Sequence, residues 1–229
     1  MKKIGLIGGM SFESTLTYYR LLNEKINARL GGLHSAKIML ESVEFDEIAR
    51  YQRQNEWDKA AVILNQCARN LAACGADFIL LCTNTMHKVY PAVQHGVAIP
   101  LIHIAHGTIN ALHTANMTKV GLLGTRYTME QDFYRDELIR AGIEVMVPAA
   151  DDRELINHVI FNELCVGKIE QSSKAQFLRI AQRLAGDGAQ GMILGCTEIG
   201  LLLTAHDTDI PLFDTTLLHI DEAVRLALA

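Results

Sequence analysis

The chain repeats itself at long range, and that repeat limits its fold more than any single motif does. "KIGLIGG" beginning at Lys3 returns as "KVGLLGT" at Lys119, an offset of 116. Tyr19-Arg20 returns as Tyr134-Arg135 (offset 115), "GADFILL" at Gly75 as "GAQGMIL" at Gly188 (113), and "IPL" at Ile99 again at Ile210 (111). The order is kept and the offset drifts slowly, as a duplicated unit with small insertions and deletions would give. Short apolar runs recur throughout: "KIGLIG" (3–8), "AKIML" (36–40), "DFILL" (77–81), "PLIHI" (100–104), "KVGLLG" (119–124), "IEVMV" (143–147), "GMILG" (191–195) and "IPLF" (210–213). Continuous apolar runs of this length mark strands buried on both faces. Helical patterns separate most of them; in 57–75, Ala60/Ala61, Leu64, Cys67/Ala68 and Leu71 recur at helical spacing before Gly75. The expected fold is therefore α/β: two pseudo-symmetric parallel-sheet α/β domains from an internal duplication. Residues 1–98 plus 207–229 are expected to form the first and 99–206 the second. The active site is expected in the cleft between them, outside the carboxyl ends of the strands.

Composition narrows the function. With 229 residues, 49% hydrophobic and 21% charged, the chain can build a globular core. A net charge of −5 without a basic stripe argues against nucleic acid as a partner. No apolar run reaches the roughly 18 residues of a membrane span. The start, "MKKIGLIGGMS", reads as a first core strand, because Glu13 and "YYRLLNEK" follow too soon for a signal peptide. A cytoplasmic setting is expected. Five cysteines, an odd number with no C-x-x-C, suggest neither a disulfide framework nor a zinc cluster. Cys67 and Cys74, seven apart, are expected on one helix face as small core residues.

Two Cys-Thr pairs, Cys82-Thr83 and Cys196-Thr197, each close an apolar strand. They invite alignment with each other, but the repeat says otherwise. Counted from the glycine before each strand, Gly75 plus eight is Thr83 and Gly188 plus eight is Cys196, so Cys82 matches Gly195. Side chains alternate along a strand, and a one-residue slip sends a side chain to the opposite face. The glycine anchor keeps the strand in register without a gap, so Thr83 and Cys196 are expected to face the ligand.

A cysteine between a strand and a helix start is expected to have a lowered pKa and favour the thiolate, with Thr197 able to cap the helix. "TNTMHKVY" (83–90) is the equivalent junction, and its backbone N–H groups, hydroxyls and amides suit a carboxylate. "GLIGGMS" (5–11) and "GTRYT" (124–128) supply matching open turns; the first is not G-x-G-x-x-G, so a dinucleotide site is not expected. Candidate substrate-binding residues in and near these turns are Met10, Asn84, Thr85, Thr125, Thr197 and Glu198. His87 reads equally well as a group orienting a catalytic residue and as a helix-face histidine with a local hydrogen bond. His103, His106 and His113 have helical spacing inside a partly strand-like stretch, and no metal site is expected. Asp151–Glu154 reads as a solvated helix end.

Together "IGLIGGMS", "GADFILLCTNTMH", "IPLIHI", "GLLGTRYT", "GAQGMILGCTEIG" and "IPLFDT" resemble the aspartate/glutamate racemase family over nearly the whole chain. The resemblance implies a cofactor-independent racemase in which two cysteines, one per domain, act on opposite faces of the substrate α-carbon. One removes the α-proton and the other returns a proton. It also suggests a homodimer. Here "T-N-T" stands where the family has Cys-Asn-Thr, so Thr83 replaces the first cysteine, as in the subgroup specific for L-aspartate and L-glutamate. Cys196 is then the only strong base, and activity biased toward L-substrates follows. Aspartate racemases of the family also carry a lysine at the place of Cys165, which leaves Gln52 and Arg53 to serve the substrate side chain. Two rival functions stay open: a decarboxylase or cis–trans isomerase acting on a small dicarboxylic acid, and a non-catalytic amino-acid-binding protein.

Overall fold

A computed structural model describes residues 1–229. In chain order the elements are β1 (Ile4–Gly8), α1 (Phe12–Leu30), β2 (Ile38–Ser42), α2 (Phe45–Arg53), α3 (Trp57–Ala73), β3 (Phe78–Leu81), α4 (Tyr90–Gln94), β4 (Leu101–Ile102), α5 (Ile104–Thr114) and β5 (Lys119–Gly124). They continue with α6 (Arg126–Glu130), α7 (Asp132–Arg140), β6 (Glu144–Met146), α8 (Ala150–Asn162), α9 (Gln171–Gly186), β7 (Met192–Gly195), α10 (Ile199–Leu202), β8 (Leu212–Asp214) and α11 (Thr215–Leu228). Two 3-10 turns, Thr85–Val89 and Leu164–Val166, complete the chain.

All eight expected strands are present. They form two four-stranded parallel sheets, ordered β2-β1-β3-β4 and β6-β5-β7-β8. The two orders are the same, as duplication requires. Two compact units result: Met1–Ile104 with His219–Ala229, and Ala105–Leu218. These limits differ from the expected 98/99 and 206/207 because strand pairing decides the ends. β4 pairs with β3 and so belongs to the first unit, and β8 pairs with β7 and so belongs to the second.

The first unit buries Ile4 and Leu6 of β1, Phe78 and Leu80 of β3, Tyr18, Leu22 and Ile26 of α1, and Ile220, Ala223 and Val224 of α11. The second buries Leu123, Met192 and Leu194 among Ile156, Val159 and Ile160 of α8 and Phe177, Ile180 and Leu184 of α9. Helix α1 starts where the Ser11 side chain accepts the Ser14 N–H. In α2 the Glu44 carboxylate accepts the N–H groups of Asp46 and Glu47. Both are side-chain N-caps, which stop orphan donors from being stranded.

The structure moves one repeat match by a residue. Tyr134 is fully buried and its hydroxyl bonds Thr108, whereas Tyr19 is half exposed. The buried counterpart is Tyr18, whose hydroxyl bonds His219. That restores the offset of 116 seen between β1 and β5. Cys74, expected in the core, is exposed at the end of α3, while Cys67 is buried. Asp152, expected at a solvated helix end, is buried and pairs with Arg183 at 2.5 Å. No helix is long and apolar enough to cross a membrane.

Gly9, just past β1, has φ +92, and a Cβ there would lie 2.3 Å from the Val43 carbonyl oxygen. Backbone cannot yield as a flexible side chain can, so Gly9→Ala should destabilise the fold by about 2 kcal/mol or more. An unchanged denaturation midpoint would show that this turn is not constrained as described.

Candidate active site

In each sheet the chain runs from the central strand to one neighbour and then crosses to the other side: β1 to β2, then β3; β5 to β6, then β7. Ligands of open α/β sheets bind beyond the carboxyl ends of the strands at this reversal. In the first unit the reversal lies between β1 and β3, which brings the Gly9–Ser11 turn beside Cys82–Thr85. In the second it lies between β5 and β7, which brings Thr125 beside Cys196–Glu198.

Pairing within each sheet tests the glycine register independently of sequence matching. Gly5 pairs with Ile79 and Ile7 with Leu81. Gly121 pairs with Met192, Leu123 with Leu194 and Gly124 with Gly195. Since Gly5 and Gly121 are repeat equivalents, Ile79 corresponds to Met192 and Leu81 to Leu194. One step on, Cys82 corresponds to Gly195 and Thr83 to Cys196. The Cys-Thr pairs are therefore one residue out of register with each other.

Burial agrees with this. Cys82 is fully buried among Leu6, Tyr18 and Ile220, its N–H bonds Ile7, and burial pushes its thiol far above the ordinary range. It is a core residue. Thr83, next along, lies in the turn beyond β3. The Ser14 hydroxyl donates to the Cys82 carbonyl (3.0 Å), so α1 fixes the peptide that precedes Thr83. His87 fixes the one that follows. Its Nε2 accepts the Ile104 N–H (3.2 Å), so its proton is on Nδ1, which donates to the Thr83 carbonyl (2.8 Å). His87 thus combines both open readings: its hydrogen bond is local, and it orients Thr83. Burial, then the nearby His103 and His219, hold it well below the ordinary imidazole range, so it is neutral. The His87 and His103 rings meet edge to face at 4.7 Å. No group of three or more His, Cys, Asp or Glu side chains is disposed to hold a metal ion.

Met10, Asn84 and Thr85 are buried in the two loops around Thr83. Gln52 on α2 is also buried, and its amide donates to Met86 Sδ (3.1 Å). Arg53 is exposed and lies 3.5 Å from Asp46. In the second unit Thr125 is the N-cap of α6, accepting the Thr128 N–H. Thr197 does not cap a helix. It donates to Glu198 Oε2 (2.6 Å), which also accepts the Cys196 thiol (3.0 Å).

The thiol's state differs from the expectation. Cys196 was expected to be acidified by a helix start, yet its pKa is raised well above the ordinary thiol value, first by burial and then by the Glu198 charge. Helix α10 has only four residues, so its dipole is weak, and desolvation wins. Cys165, read from the sequence as a packing residue, also hydrogen-bonds Glu198, and burial, then Glu198, raises its thiol. Proximity of the "ELCVG" segment to the Cys196 loop is tertiary and left no mark in the local sequence.

A family model described as Asp/Glu/Hydantoin racemase matches residues 7–223. The chain belongs to that family. A Yersinia pestis crystal structure, provisionally designated an Asp/Glu racemase, is 49% identical, covers 100% of both chains and superposes with a TM-score of 0.92. An aspartate racemase homologue from Pyrococcus horikoshii OT3 is 33% identical over 100% of both chains, with a TM-score of 0.86. The broad specificity amino-acid racemase RacX of Bacillus subtilis (strain 168) is 26% identical over 93% of this chain and 92% of its own length.

His87 also yields a pH dependence. The unfolded chain takes up its proton near the ordinary value of 6.5, whereas the folded protein resists it. The stability this provides is complete above that value and is lost as pH falls below it. Unfolding free energy should therefore fall between about pH 7 and pH 5, and His87→Gln should flatten that slope while costing about 1–2 kcal/mol at neutral pH. An unaltered slope in the variant would assign the effect to other groups.

Proposed function

We propose that the protein is a cofactor-independent racemase of aspartate or glutamate that works better on L-substrates. The observation that carries this reading is the register equivalence of Thr83 and Cys196 in a chain of the racemase family. Cys196, as thiolate, takes the α-proton of the L-enantiomer. Thr83 passes a proton to the opposite face, with water as the ultimate source. Backbone N–H groups and polar side chains of the Met10, Asn84–Thr85 and Thr125 turns hold the substrate, with Gln52 toward its side chain. Similarity to RacX over nearly its whole length supports amino acids as the substrate class. A homodimer in the cytoplasm belongs to the same reading.

The replacement of a thiol by a hydroxyl makes the two directions unequal. A thiol has an ordinary pKa of about 8.5 and can ionise within a protein, whereas a threonine hydroxyl stays protonated and can only donate or relay. Enantiomers in water have equal free energy, so kcat/KM must be the same in both directions. The inequality therefore appears in kcat and KM separately, and in α-hydrogen exchange with solvent.

Racemisation by the pure protein should need no pyridoxal phosphate, metal or nucleotide. Cys196→Ala should lower turnover by about 10³-fold or more and leave folding intact. Cys82→Ala should cost roughly 1 kcal/mol of stability and keep most activity. Equal loss in both variants would mean that Cys82 also reaches the substrate and that the register reading is wrong. In deuterated water the wild type should exchange the α-hydrogen of the L-enantiomer with retention faster than that of the D-enantiomer. Thr83→Cys should raise exchange from the D-enantiomer most. Chiral chromatography with mass detection, run from each enantiomer of each amino acid, decides the matter. Equal exchange in the wild type would sink the one-sided mechanism, and carbon dioxide release from a dicarboxylic acid would favour a decarboxylase.

A further inference from the structure

The buried thiol poses a problem that the proposed racemase chemistry does not solve. Cys196 must give up its proton before it can take one from carbon, yet its surroundings oppose a second negative charge. The Cys196 thiol donates to Glu198 Oε2 at 3.0 Å, and Glu198 is only 2% exposed. The same oxygen accepts the Thr197 hydroxyl at 2.6 Å, which fixes the carboxylate toward the thiol. From this geometry we infer that Glu198 is the proton acceptor that activates Cys196, rather than a residue that binds substrate. The inference rests on the racemase reading for its place in turnover.

The reason is charge conservation inside the site. Ionising the thiol to solvent would place two negative charges within one hydrogen bond of each other in a dry environment, which both burial and the Glu198 charge resist. Moving the proton from Sγ to Oε2 leaves one negative charge before and after. The site around them contains the Cys165 thiol, which hydrogen-bonds Glu198, and Asp214, which packs against α10 at Gly200 and is raised by burial. Neither supplies a cation that would stabilise a thiolate.

The steps balance. The S–H bond of Cys196 breaks and an O–H bond forms on Glu198. The thiolate then takes the substrate α-proton, re-forming S–H and leaving the electron pair on the substrate as an enolate-like carbanion. A proton from the Thr83 hydroxyl, or from a water that it binds, forms the new C–H bond. The proton on Glu198 returns through solvent water to replace the one donated on the Thr83 side, and the starting state is restored.

The test uses the full-length protein with Glu198→Gln, which keeps the shape of the side chain but cannot take the proton. Turnover at saturation should fall about 100-fold or more, the usual size of an acid–base contribution, with KM changed by less than about threefold. The ionisation midpoint of the Cys196 thiol, read from thiolate ultraviolet absorbance by difference against Cys196→Ser, should move the other way, downward, because a neighbouring charge is gone. The residual rate should then rise with pH as the thiol ionises to solvent. Opposite changes in turnover and in thiol acidity are the signature of a proton acceptor; a group that only packs the site would not produce them. Turnover within about threefold of wild type, a loss confined to KM, or an unmoved thiol midpoint each overturns the inference. If Glu198→Gln does not fold, Glu198→Asp keeps the charge and shortens its reach; it should lower kcat and leave the midpoint high, and wild-type kcat in that variant also overturns the inference. If the wild type racemises no amino acid, the functional reading fails, and the shift of the thiol midpoint alone decides whether Glu198 is the partner of Cys196.

Discussion

Each unit is organised by the pairing of its central strand with the strand across the reversal, β1 with β3 and β5 with β7. Parallel strands buried on both faces have no polar side to hold them in place, so register comes from backbone pairing and from the fit of apolar side chains on both faces. Register in turn decides which residue closes the paired stretch and which begins the turn beyond it. In the first unit these are Cys82 and Thr83; in the second they are Gly195 and Cys196. A slip of one residue would exchange core thiol and candidate catalytic group, and would drive Cys82 out of contact with Leu6, Tyr18 and Ile220.

Desolvation is the dominant force on ionisable groups at both strand ends. Both cysteines have raised pKa values, but the consequences differ. Around Cys82 only burial acts, and the thiol is inert packing. Around Cys196 a hydrogen-bonded carboxylate lies within the same dry region, so the proton has somewhere to go without leaving it. The helix that follows Cys196 is a single turn, too short to offset burial by its dipole. In the first unit the Thr83 carbonyl is held by a neutral imidazole whose tautomer is set by the Ile104 N–H. The two repeat-equivalent positions thus diverge in chemistry while the backbones that carry them stay alike.

The eight strands, the parallel sheets and the duplication were legible in the sequence because continuous apolar runs alternating with helical spacing have few other solutions. Thr83 and Cys196 were legible as equivalents because the glycines at 75 and 188, both with positive φ, start the two strands from the same turn. Domain ends were not, because "IPL" looks the same whichever sheet it joins; only its pairing with β3 or β7 assigns it. Tyr18 and Tyr19 could not be told apart by type, and burial chose between them. The state of Cys196, the bonding of Cys165 to Glu198, and the grip of His87 on Thr83 depend on distances between segments that fold together. Local sequence carries helix starts and hydrogen-bonding residue types, but desolvation is a property of everything packed around a group, and only the tertiary structure decides it.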